Sequence, residues 1–271
     1  MPSPSISKRW RPSPLIRGSL ALHIGAAAAT LVRPQLWPWA LGAVVADHLL
    51  ITAAGLWPRS RLLGPNWIRL PSHVADLGAV AITIDDGPDP EITPRVLSIL
   101  DEHDAKATFF CIGERVRQYA DIAREIVHRG HTIENHSQRH LNYFSLLGPR
   151  GLTEEIDRAQ ETIGTVTGVR PSFFRAPAGL RNPFLDPVLT RLDLRLASWT
   201  RRGFDTIERS PDVVFGKLAN NLGRGDILLL HDGHAARTQA GSPVILEVLP
   251  RLLTTAASTK LTPITLRAAL T

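Results

Sequence analysis

The chain of 271 residues has one cysteine, Cys111. A lone thiol cannot close an internal disulfide, so a disulfide framework is excluded. Cys111, inside "ATFFCIG", reads as a small buried hydrophobe. That usage fits a reducing cytosol and equally a periplasmic domain that needs no staple. Acids are almost missing from the first quarter: residues 1–70 hold eight Lys and Arg against a single acid, Asp47. Residues 71–271 hold 23 basic and 24 acidic side chains, so the net charge of +6 belongs to the N-terminal segment. The main domain lacks the basic face that a nucleic acid requires, and no nucleic-acid partner is expected. There is no internal repeat, and no G-x-G-x-x-G follows the first predicted strand to mark a dinucleotide site.

What the first seventy residues do contain is apolar. After "MPSPSISKRWRPSP" (1–14), a basic Pro/Ser-rich tail expected to be disordered, the segment 15–70 reads as helical. Gly18–Val32 is apolar apart from Ser19, His23 and Thr30, and Leu36–Trp57 has the roughly 20 residues a bilayer span needs. Trp37, Trp39 and Trp57 lie near its ends, as interfacial anchors would. Asp47 and His48 at its middle oppose spanning unless they neutralise each other or face the other helix. Three arrangements are open: a membrane hairpin through residues 15–57, a signal peptide followed by an anchor, or two helices buried against the domain. The expected location is a bacterial inner membrane. Arg9 and Arg11 precede, Arg33 intervenes, and Arg59 and Arg61 follow, so charge alone does not choose a side. A hairpin leaves both flanks cytoplasmic, whereas a single span exports the domain.

Residues 71–271 form the main domain, in which short apolar runs alternate with amphipathic ones. Strands are predicted at Ala79–Ile84, Thr108–Ile112, Thr132–Glu134, Ser172–Arg175, Arg195–Trp199, Ile227–Leu230 and Pro263–Leu266. Helices are predicted at Thr93–Glu102, Glu114–His128, Thr153–Val166, Pro183–Leu192, Asp212–Leu222 and Val244–Ala256. Thr93 is placed as an N-cap with Pro94 at the first helical position, and Gly130 to end its helix. Strand–helix alternation gives an α/β class with parallel strands. About seven strands in two hundred residues imply a short, distorted (β/α) barrel, with an open doubly wound sheet as the alternative.

In such barrels function collects at the C-terminal ends of strands. There stand Asp85 and Asp86, then His136 and His140 in "ENHSQRH", Arg175 in "FRAPAG", Trp199 with Asp205 six residues on, and His231 in "LLLHDG". Each is ordinary alone: "DDG" suits a turn, and a strand-terminal His is often a core residue. The His pair, four apart, is read as one face of a helical turn and suits a metal. All of them at strand ends point to one mouth.

These motifs, in this order, resemble the polysaccharide deacetylase family (carbohydrate esterase family 4, the NodB-homology domain). The resemblance covers roughly residues 76–268, and "KATFFCIG" and "HRGHTIENH" also match its strand contexts. It implies metal-dependent deacylation of an amino sugar in which a metal-bound water attacks the amide. Residue by residue, it makes Asp86, His136 and His140 the metal ligands, with Zn²⁺ expected and Co²⁺ or Ni²⁺ able to replace it. Asp85 becomes the general base, with Arg175 beside it. His231 becomes the general acid, held as imidazolium by Asp205. The backbone N–H of Ala178 joins the metal in stabilising the oxyanion. Leu228 and Trp199 line the acyl pocket.

The chain departs from the family pattern in three places that face substrate. Ala178 stands where Tyr is common, and in "WTRRGFDT" Arg202 and Thr206 replace the first Asp and the Trp of "DxxDW". The substrate is expected to be an N-acylated glycan, either polymeric or a lipid-linked sugar held near the membrane by the apolar N-terminus. A non-catalytic glycan-binding membrane protein is the contrasting reading.

Overall fold

The computed structural model describes residues 9–271. The first eight residues of the expected tail lie outside that range. The next ones touch the domain: the Trp10 indole N–H donates to Asp186, and the Ser13 hydroxyl donates to the Leu62 carbonyl. Ser13 also accepts from the Ile16 N–H and so caps α1, Pro14–Val32. A turn at 33–36 leads into α2, Trp37–Leu56. The two helices pack on each other and on little else. In α1 no residue is buried, and in α2 only Asp47, Ala54 and Gly55 are. Leu20, Ile24, Leu31, Trp39 and Leu49 stand exposed, so these are not helices buried against the domain. Asp47 instead faces α1, where it accepts from the Ser19 hydroxyl at 2.6 Å.

The domain follows as α3 (Ser72–Ala75), β1 (Ala79–Asp85), α4 (Ile92–Glu102), β2 (Thr108–Cys111), α5 (Gly113–Gln118), α6 (Ala120–His128), β3 (Thr132–Asn135), α7 (Pro149–Thr167), β4 (Phe173–Phe174), α8 (Leu185–Arg191), β5 (Arg195–Leu196), β6 (Arg201–Arg202), α9 (Pro211–Ala219), β7 (Ile227–His231), α10 (Val244–Ser258) and β8 (Thr262–Pro263). The sheet runs β5-β4-β3-β2-β1-β7-β6, with every pairing parallel and β8 added beside the start of β1. Seven strands thus make a curled half-barrel, as alternation predicted, and β8 is a short eighth. Among the described residues β5 and β6 do not pair with each other. The stretch 58–70 lies across that seam: Trp67 N–H donates to Leu196 O, Ser198 N–H to Trp67 O, and Leu70 N–H to Gly225 O.

β1 is buried along its whole length because both faces are covered. Strand alternation sorts the side chains. Val80, Ile82 and Ile84 join Leu228 and Leu230 beneath the helices, while Ala81, Phe110, Phe173, Trp199, Ile227 and Leu229 fill the inside of the curl. In α4 the apolar residues Ile92, Val96, Leu97 and Leu100 form one buried stripe.

Two sequence expectations differ here. Thr93 does not cap α4; the Asp89 carboxylate accepts from Glu91 and Ile92 N–H in that role. The Thr93 hydroxyl instead donates to Asp232 at 2.5 Å, a long-range bond that local capping rules cannot foresee. The predicted helix Glu114–His128 is two helices broken at Tyr119, whose ψ of 52° is not helical.

Candidate active site

Asp85 closes β1 on the inner face, and its partner is Arg175, one residue beyond β4. Arg175 Nη1 lies 2.6 Å from Asp85 Oδ1 and 2.8 Å from Thr83 Oγ1. The remaining guanidinium N–H groups donate to Ala197 and Ser198 carbonyls, and the ring of Phe110 lies 4.1 Å below. This fully buried cation is therefore surrounded by acceptors and cannot swing away, which fixes the Asp85 carboxylate in turn.

Asp86 follows in a left-handed conformation (φ 74°) that turns its side chain away from Asp85. Its Oδ1 is buried without a hydrogen-bond partner and lies 3.3 Å from Nε2 of both His136 and His140. His136 Nδ1 is 2.8 Å from the Arg175 carbonyl; a proton held there leaves Nε2 free to ligate. The turn that brings His140 back is not helical. Ser137 and His140 both have positive φ, and Ser137 Oγ accepts the His140 N–H. The four-residue spacing thus works through a strained loop rather than a helical face.

The donor set fits a divalent cation: one carboxylate and two imidazoles, with all three ligand atoms within 4.8 Å of one another and one of them orphaned. The electrostatics agree. Burial opposes the Asp86 charge, yet the neighbouring imidazoles of His136 and His234 hold its carboxyl well below the usual range. Burial also opposes a charged His136, but Asp85 and Asp86 outweigh it and raise its pKa. Burial and the charge of His136 push His140 down to about 4. A bound cation would replace the proton this cluster otherwise attracts.

Across the mouth, His231 ends β7. Its Nδ1 lies 2.9 Å from Asp205 Oδ1, and its N–H donates to Asp205 Oδ2 at 2.7 Å. Burial lowers the pKa of His231, but Asp205 more than offsets this and raises it to about 9. Ala178 sits with φ 54° in the turn Pro177–Gly179. The N–H groups of Gly179 and Leu180 bond back within that turn, whereas Ala178 N–H has no acceptor among the described residues. These groups surround a cleft of about 150 Å³ lined by both aspartates, His136, His140, Ala178, Trp199, Leu229 and His231.

The family model described as polysaccharide deacetylase matches residues 75–197. The chitooligosaccharide deacetylase of Azorhizobium caulinodans is 36% identical over 158 residues, covering 57% of this chain and 74% of that protein. The chain belongs to the polysaccharide deacetylase family. A peptidoglycan-N-acetylglucosamine deacetylase of Bacillus cereus is 30% identical over 177 residues, which span 65% of this chain but only 63% of the relative's own length. Among solved structures, a peptidoglycan N-acetylglucosamine deacetylase in complex with 4-naphthalen-1-yl-N-oxidanyl-benzamide superposes with a TM-score of 0.68 at 25% identity, covering 75% of this chain and 92% of that one.

In this family member, one expected pocket residue is misplaced. Leu228 does not line the acyl pocket; it faces the helix layer at 1% exposure. Leu229 lines the cleft in its place, on the same face of β7 as His231 two residues later. Counting back by two from His231 would have found it. Asp232 was also missed, because "HDG" reads as an ordinary turn. It is fully buried, accepts from Thr93 Oγ1 and Gly233 N–H, and burial raises its carboxyl to about 7. A Cβ on Gly87 would come within 2.5 Å of the Asp232 carboxylate, so the turn after Asp86 rests directly on it. His234 lies with Nδ1 3.4 Å from Asp86 Oδ2 at the exposed rim. Arg202 and Thr206, both departures from the family pattern, line the same cleft.

Proposed function

We propose that this chain hydrolyses the N-acyl group of an amino sugar in a glycan, releasing a short carboxylate and a free amine. The observation that carries this reading is the orphaned Asp86 Oδ1 between two imidazoles, set between an Arg-fixed carboxylate and an Asp-supported histidine. Asp86, His136 and His140 would hold a divalent metal, which when bound supplies Lewis-acid polarisation of the acyl oxygen. The relatives' names support the substrate class, since they act on chitooligosaccharide and on peptidoglycan.

The residues of this chain divide the proton transfers. Asp85 takes a proton from the attacking water as that oxygen bonds to the acyl carbon. The Ala178 N–H, without an acceptor among the described residues, donates to the oxygen that gains charge. His231 then gives its proton to the nitrogen as the C–N bond breaks. Trp199 and Leu229 close the small apolar space where a short acyl chain fits. The direct test is acetate and formate release from polymeric and lipid-linked N-acyl sugars, before chelation, after it, and with Zn²⁺, Co²⁺ or Ni²⁺ restored. Release that survives exhaustive chelation would overturn the metal reading. No release from any acceptor would favour a non-catalytic glycan-binding protein.

A general acid must carry its proton, so activity should persist below about 9 and fall as pH rises through the His231 pKa. Asp205→Asn removes the charge that raises it and should bring the alkaline limb down by roughly 1 to 2 units. An unmoved limb in a pH–rate profile would assign the acid elsewhere.

The helices α1 and α2 are proposed to form a membrane hairpin. Each is about 30 Å long, the thickness of a hydrocarbon core, and apart from Arg17 near one end and His48 their exposed faces are mostly apolar. Both outer ends meet the domain, so Arg9, Arg11, Arg17, Arg59 and Arg61 share one side against Arg33 on the other. That asymmetry supports a domain on the cytoplasmic face. Cys111 is buried, which leaves a quiet background for thiol labelling. In intact cells Gln35→Cys should react with an impermeant maleimide, while Asp121→Cys should react only after permeabilisation. The reverse pattern would export the domain.

A further inference from the structure

The catalytic cleft does not end at Trp199. Trp199 and Arg202 also line a second cavity of about 620 Å³, which runs to Trp57 and Arg59 directly after α2 and is flanked by Phe204 and Lys217. Among the described residues no carboxylate lines this groove. Arg201 in its wall is committed to Asp226 and to the carbonyls of Asn220 and Asn221. The other three cations have no acid among the described residues. Arg59 donates only to the Thr200 carbonyl at 3.3 Å. The Arg202 guanidinium lies over Trp199 at 5.4 Å and Phe204 at 4.9 Å, and its Nε is buried without a partner. The Lys217 ammonium lies 5.2 Å from the Phe204 ring.

Three unneutralised cations along one aromatic-walled groove attract an anion, and a guanidinium held between two rings offers its N–H edge to a phosphate. We propose that the groove takes the phosphate of a lipid-linked amino sugar, an N-acylated sugar joined by a phosphodiester to a membrane-resident hydrocarbon chain, with the sugar in the catalytic cleft. This rests on the deacylase and hairpin readings and narrows their substrate. The groove starts at Trp57, where the membrane-length helix ends, which is the depth of lipid phosphates. Arg202 stands where the resembling family commonly has an acid, and an acid there would repel a phosphate. A neutral glycan chain would leave all three cations unanswered.

The test uses the full chain, metal-loaded, in lipid nanodiscs, with three probes: N-acetylglucosamine joined by a phosphodiester to a farnesyl chain, N-acetylglucosamine 1-phosphate, and a neutral N-acetylglucosamine tetramer. KM for the lipid phosphodiester should be at least about tenfold below that for the tetramer. The double variant Arg59→Gln/Lys217→Gln should shrink this preference at least about tenfold, mostly through KM. Binding of the phosphodiester to the chelated protein, read from tryptophan fluorescence, should weaken by the same factor. That readout needs no turnover, so a protein that binds the phosphodiester selectively but releases no acyl group would sink the deacylase reading and keep the groove. Equal binding of phosphodiester and tetramer, or equal losses on both in the variant, would overturn the groove. Sugar 1-phosphate binding as tightly as its lipid ester would overturn the lipid assignment.

Discussion

Alanine at Asp86 or at His136 is expected to remove bound metal and acyl release together. Each substitution takes away one of three proposed ligands, and two ligands do not make a retained site. The polarisation a metal supplies is several kcal/mol, so release should fall by at least about a thousandfold. Metal content by elemental analysis and turnover on the same sample decide the matter. Circular dichroism of the variant checks that the fold persists, since His136 and Asp86 are both buried. A variant that loses its metal and keeps its turnover would end the metal-centred reading. One that keeps both would remove that residue from the ligand set.

Asparagine at Asp85 should do the opposite to one of these readouts. The volume is unchanged and an amide oxygen can still accept from Arg175 Nη1, so metal content should hold. The proposed base is gone, and turnover should fall roughly 10²- to 10⁴-fold. The substitution also leaves the fully buried Arg175 without its counter-charge, which costs about 3 to 5 kcal/mol when a buried pair is broken. A clear drop in Tm should therefore accompany the loss of turnover. Loss of metal in Asp85→Asn would mean that the two adjacent acids have exchanged roles.

The adjacent acids were the most legible part of the chain. Like charges at the end of a buried strand need separate cations, and the left-handed Asp86 delivers them, one carboxylate to Arg175 and the other to the histidines. Strand–helix alternation was equally readable, because each apolar run packs on a neighbour it pairs with in parallel. What stayed hidden has physical reasons. β6 is "RR", half-buried and charged, and becomes a strand only because Leu228 and Leu229 present a sheet edge to it. The seam between β5 and β6 is crossed by backbone bonds from 58–70, a segment with no periodicity to read. Leu228 was misplaced although alternation from His231 fixed the answer, and Asp232 went unseen because its partner, Thr93, is 139 residues away.

The foot of α2 reaches the loop that borders the cleft. Gly55 lies so close to the Arg181 carbonyl that a Cβ would stand 2.2 Å from it, and Arg181 N–H donates back to Gly55 O. Three residues earlier in that same loop is Ala178. Pro58 in turn presses on Gly179, within 2.7 Å of where its Cβ would be. The apolar helix α2 therefore also braces the loop that carries Ala178. Cutting the chain before residue 58 would take Gly55 away from the Arg181 carbonyl and leave that loop unbraced. Such a fragment would keep every residue that lines the cleft but lose the support beneath the loop beside it.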